Sequence, residues 1–148
     1  MSELKNRITD DMKSAMKARD KESTRAIRMI LEAIKQKEVD DRTVLDDSQV
    51  ITVINKMVKQ RKDSISQFTD AGRDDLVKVE NDELAILNNY MPKQLSDEEI
   101  APIVDKAISD LGASSMQDMG KLMGKLKGQL NGKADMGTVS AIIRSKLS

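Results

Sequence analysis

A chain of 148 residues with 39% hydrophobic content is long enough for one ordinary domain or two small ones and can bury a modest core. It contains neither cysteine nor histidine, which excludes disulfides, thiol catalysis and thiolate metal sites and removes the commonest general base and metal ligand. The 25 basic residues balance 25 acidic ones, so the protein as a whole does not attract a polyanion. Ten methionines against one Phe and one Tyr point to an aliphatic, thioether-rich interior. Residues 1–20 are charged throughout and lack the apolar core of a signal peptide, and no run approaches the roughly 20 apolar residues of a membrane span. A cytoplasmic location is the expectation.

Apolar residues recur at helical spacing along almost the whole chain, and no segment alternates as a strand would. The first helix is expected at about residues 3–19, burying Leu4, Ile8, Met12, Ala15 and Met16. A second starts near Asp20, carries Ile27, Ile30, Leu31 and Ile34 on one face, and fades in the charged stretch from Lys37 to Arg42. Asp46, Asp47 and Ser48 offer N-caps for a third, whose stripe is Val50, Ile54, Met57, Val58, Arg61, Ile65 and Phe68. Gly72 separates it from a fourth that packs Leu76, Val77, Leu84, Leu87 and Met91. Arg61 falls on an apolar stripe, which calls for an ion pair with a carboxylate of the fourth helix, Glu80 or Glu83. With Lys56, Lys59 and Lys62 it otherwise makes a second basic cluster open to RNA.

Tyr90 to Ser96 (YMPKQLS) reads as a boundary, because Pro92 disfavours helical geometry in the residue before it. Ser96 and Glu99 have the spacing of a capping box that opens a fifth helix. Its buried face is Ile100, Ile103, Val104, Ala107, Ile108 and Leu111, and Gly112 terminates it. Ser114 or Ser115 caps a sixth with the stripe Met116, Met119, Leu122, Met123, Leu126 and Leu130. Asp135 caps a seventh that packs Val139, Ile142, Ile143 and Leu147. The fold class is therefore all-α, in two small helical bundles: about four helices in residues 1–94 and three in residues 95–148. The carboxylate clusters at Asp40-Asp41, Asp46-Asp47, Asp74-Asp75 and Asp97 to Glu99 fall at helix starts or charged links, as the helix dipole favours, with weak divalent-ion binding the alternative.

Charge is uneven in the last third. Residues 95–110 carry a net −4 and residues 111–148 a net +4, so the final segment is the one sustained basic excess suited to an anionic partner. Within it, MGKLMGKLKGQLNGKADM places Gly120, Gly124 and Gly128 four apart. An interior glycine costs a helix about 1 kcal/mol relative to alanine. Either close approach of a second helix offsets that cost, or a bare backbone serves a ligand's phosphates. Lys121 and Lys125 lie one turn apart beside this line, Lys127 and Lys133 flank the next turn, and Asn131-Gly132 reads as a helix C-cap with a left-handed glycine. Lone lysines usually belong to solvated surface; four beside exposed backbone and a helix N-terminus near Asp135 suggest a phosphate site.

The run from Asp118 through MGKLMG, together with Gly132-Lys-Ala-Asp135 and the short helix ending Lys146-Leu147, resembles the C-terminal tail domain of the B subunit of the tRNA-dependent amidotransferase. The full chain, with KQRKDSI at residues 59–65 and YMPKQLS, resembles the free-standing members of that GatB/YqeY family. The tail resemblance covers about residues 95–148. It implies contact with tRNA, with Gly120, Lys121, Gly124, Lys125, Lys127, Gly132, Lys133 and Lys146 as candidate RNA-binding residues. The amidotransferase's carbon–nitrogen ligase chemistry, with glutamine as amide donor, belongs to parts that this chain does not resemble. No Walker-type phosphate loop is present, and Ser114, Ser115 and Lys121 are too local in sequence for an amidase triad. No catalytic residue, metal or cofactor is assigned. The leading expectation is a tRNA- or structured-RNA-binding accessory protein whose N-terminal bundle docks a translation-related protein. A protein–protein adaptor is the alternative, and a component of a carbon–nitrogen ligase acting on misacylated tRNA a distant third.

Overall fold

The computed structural model describes residues 2–147. They form seven α-helices: α1 Glu3–Lys17, α2 Lys21–Asp41, α3 Asp47–Asp70, α4 Asp74–Asn88, α5 Asp97–Leu111, α6 Met119–Gln129 and α7 Met136–Leu147, with a short 3-10 turn at Met116–Asp118 and no strand among the described residues. The fold is all-α. The chain divides into two compact units, the first ending at Met91 and the second beginning at Pro92.

Helix starts follow local chemistry closely. Asp20 caps α2 through the N–H of Ser23, and Asp46 caps α3 through that of Gln49, whose side chain answers in a capping box. Ser96 and Glu99 form the box that opens α5. Gly112 closes α5 at φ +62, and Gly72 follows α3 at φ +70. Sequence pattern was silent on Arg42, which takes the left-handed conformation at the end of α2. That helix runs on through the charged stretch to Asp41, where a Lys37–Asp41 pair one turn apart supports the last turn. Asp40 and Asp41 thus lie at a helix C-terminus rather than at a start, against the dipole preference.

The first unit is centred on Ile8, Ile27, Ile30, Ile34, Leu45, Val50, Ile54, Met57, Val58, Leu87 and Tyr90. Two expectations fail here. Met16 is 52% exposed, because α1 ends at Lys17 and its last turn passes beyond the core. Tyr90, read as part of a linker, is buried: its hydroxyl donates to Asp11 at 2.7 Å and the Arg7 guanidinium lies 5.1 Å from its ring centroid. Arg61 meets its expectation, with Nε 2.8 Å from Glu83 and 3.4 Å from Glu80. An unpaired guanidinium on that stripe would cost several kcal/mol, so the two carboxylates are what lets an arginine occupy it.

The second unit packs α5, α6 and α7 around Ile100, Val104, Ala107, Leu122, Leu126, Leu130, Val139 and Ile143. Gln94 donates to the carbonyl of Gly132, and the Leu95 N–H donates to that of Lys133 at 2.8 Å. The segment before α5 is thereby tied to the α6–α7 turn.

Candidate nucleic-acid interface

The entry to α6 is built from Asp118. Its carboxylate accepts from the N–H groups of Ser114 at 2.9 Å and Ser115 at 3.2 Å, and these bonds hold it below the ordinary carboxylate range. Ser115 is the N-cap of the 3-10 turn that leads into α6, as expected, in a capping box whose other half is the Asp118 carboxylate reaching back to the serine backbone. Because a 3-10 turn precedes α6, Met116 is carried off the buried stripe and is 45% exposed.

Burial of Leu122, Leu126 and Leu130 fixes the rotation of α6. With 3.6 residues per turn, the opposite side must present positions 120, 121, 124, 127 and 128. All five are exposed. A Cβ added at Gly120, Gly124 or Gly128 would meet nothing within 4 Å. The close-packing explanation of the glycine line therefore fails among the described residues. What the line produces is a strip of bare helical backbone, flanked by Lys127 on one side and Lys121 on the other.

The remaining candidate residues divide. Lys125 sits at the edge of this face and pairs with Asp110 of α5 at 3.2 Å. Lys146 pairs with Asp105 of α5 at 2.8 Å. The acidic helix thus neutralises part of the basic segment that follows it, which net charge counted along the sequence does not reveal. Gly132 adopts φ +73 as the C-cap reading requires, but it is buried with its carbonyl occupied. It shapes the turn and offers a ligand no backbone. Lys133, next to it, is exposed. Among the described residues Lys121, Lys127 and Lys133 join no ion pair, although the Lys121 charge helps to lower the Asp118 carboxyl.

The N-terminus of α7 is not open to an anion. A Cβ at Gly137 would lie 3.0 Å from the Asp135 carboxylate, and Thr138 Oγ1 lies 3.5 Å from the same group. Asp135 fills the position that a phosphate would take. Among the described residues no three or more carboxylates converge as metal ligands would.

Comparison with known proteins places the chain. A family model described as Yqey-like protein matches residues 5–147. The chain is 36% identical over 144 residues to altered inheritance of mitochondria protein 41, mitochondrial, of Kluyveromyces lactis, covering 95% of this chain and 78% of that protein. The protein of the same name in Vanderwaltozyma polyspora is 35% identical over 146 residues, covering 94% and 79%. That of Saccharomyces cerevisiae is 40% identical over 85 residues, covering 57% and 46%. These mitochondrial names overturn the cytoplasmic location expected from the sequence. Among the described residues no helix is long and apolar enough to cross a membrane, but an organelle interior is as aqueous as the cytosol, and hydropathy does not separate the two. On the match over nearly its whole length, the chain belongs to the YqeY-like protein family.

Proposed function

We propose that the second unit binds a folded RNA of the tRNA type through the exposed face of α6, without chemistry of its own. The observation that carries this reading is the solvent-facing glycine line. Gly124 lies in the interior of the eleven-residue α6 and costs it about 1 kcal/mol relative to alanine, Gly120 and Gly128 lie in its first and last turns, and no packing contact in the described residues offsets that cost. A bare backbone strip flanked by lysines suits close approach of a sugar–phosphate chain, as glycines do wherever a ligand must touch the main chain. The tail-domain resemblance supports the same partner.

Lys121 and Lys127 contact phosphates on either side of Gly120 and Gly124, and Lys133 extends the track beyond the helix. Residues 92–148 contain no Phe, Tyr or Trp, so no ring is available to stack an unpaired base. Recognition then works through phosphates, riboses and shape, as for structured RNA. The test is competition: labelled tRNA bound to the full chain should be displaced by unlabelled tRNA and far less well by a single strand or a DNA duplex of equal length. Equal displacement by all three would contradict the proposal.

A further inference from the structure

Beside α5 lies a second feature that shares only Lys133 with the RNA track. A groove of about 380 Å³ between α5 and α6 has a floor that includes Ile103, Ala107 and Leu130 and a rim that includes Lys106, Lys125 and Lys133 together with Asp110. None of Gly120, Lys121, Gly124 or Lys127 lines it. Lys125 is held by Asp110, whereas Lys106 and Lys133 are exposed and join no ion pair among the described residues. Lys133 is also pre-positioned, because its carbonyl accepts from Leu95 and the left-handed Gly132 precedes it.

We propose that this groove docks an acidic peptide segment of a partner protein, with one aliphatic side chain on the floor and flanking carboxylates on Lys106 and Lys133. The chemistry of the walls selects that occupant. An apolar floor rewards burial of an aliphatic group and penalises a ribose or phosphate left without hydrogen bonds. With no aromatic residue in this unit, an unstacked base gains no platform. The groove falls in the size range of pockets that enclose small groups, and an α-helix about 10 Å across would not enter it. Two unpaired cations on the rim, against one carboxylate already paired with Lys125, favour an occupant carrying negative charge.

The probe is a short peptide with two leucines between pairs of glutamates, added to the full chain and followed by NMR of its methyl groups. The methyls of Ile103, Ala107 and Leu130 should shift more than those of the first unit. Lys106→Glu, a change at an exposed position that leaves the core intact, should weaken binding roughly tenfold. A peptide with alanines in place of the leucines should lose a similar factor, while Lys121→Gln with Lys127→Gln should leave peptide binding unchanged. Failure of RNA binding with these results intact would overturn only the RNA reading. Shifts spread over the whole chain, or insensitivity to Lys106→Glu, would overturn the docking site. So would an oligonucleotide that shifts the same methyls and is weakened by the same substitution.

Discussion

Replacing Gly120 and Gly124 together with alanine separates a ligand-facing glycine line from a packing one. Both lie inside α6, neither has a positive φ, and an added Cβ finds nothing within 4 Å. Each alanine removes backbone freedom from the unfolded chain and should stabilise the helix by about 1 kcal/mol, giving about 2 kcal/mol for the pair. For a domain of this size that corresponds to a rise of roughly 10 °C in the melting temperature of the second unit. Native-state hydrogen exchange gives the local readout: amides of Leu122 and Leu126 should exchange about 30-fold more slowly where they exchange through opening of this unit. The same variant should bind tRNA less well, because two methyl groups now stand where the RNA backbone approaches. A helix that is stabilised and yet binds less is the signature expected of a binding surface. Unchanged or faster exchange would show that the glycines meet something, and the reasoning from open space would fail.

Ser96→Ala should destabilise the second unit by about 1 kcal/mol in chemical denaturation, since the Glu99 N–H loses its cap while the buried face of α5 is kept. Tyr90→Phe should cost the first unit about 1.5 kcal/mol, because Asp11 loses a hydrogen bond from a buried hydroxyl; a denaturation midpoint equal to the parent's would remove Tyr90 as an anchor. Glu38 is held below its ordinary value of 4.5 by the Lys5 ammonium and then by the Leu45 N–H. Its contribution is therefore present above that ordinary value and is lost as pH falls through the lower folded value. Glu38→Gln should flatten the acid limb of the stability curve between those two points.

Much of the architecture was legible because several helix starts carry their own chemistry, although α4 begins at Arg73 without a side-chain cap. Asp20, Asp46 and Ser96 announce α2, α3 and α5 through caps that act within four residues, and the aliphatic stripes announce which faces are buried. The Arg61 pairing was legible for a related reason, since a charge on an apolar stripe demands a partner. Three features were not. Tyr90 looked like a linker residue because its partners Arg7 and Asp11 lie about 80 residues earlier in the chain. The exposure of the glycine line depends on how α6 is rotated, which the leucines set only once α5 and α7 are in place. The reduction of the basic cluster by Asp105 and Asp110 is a contact between helices, and charge counted along the chain does not contain it.

The central claim is that the free cations of the α6 face hold RNA phosphates, and the salt dependence of tRNA affinity tests it most directly. Three spare lysines neutralising three phosphates predict a fall of log affinity with log salt at a slope of about −2 to −3. Changing Lys121 and Lys127 together to glutamine should flatten that slope by about 2 and weaken binding at low salt. The fold should be kept, since both side chains are exposed and neither joins an ion pair among the described residues. An unchanged affinity and an unchanged slope in the double variant would contradict the account.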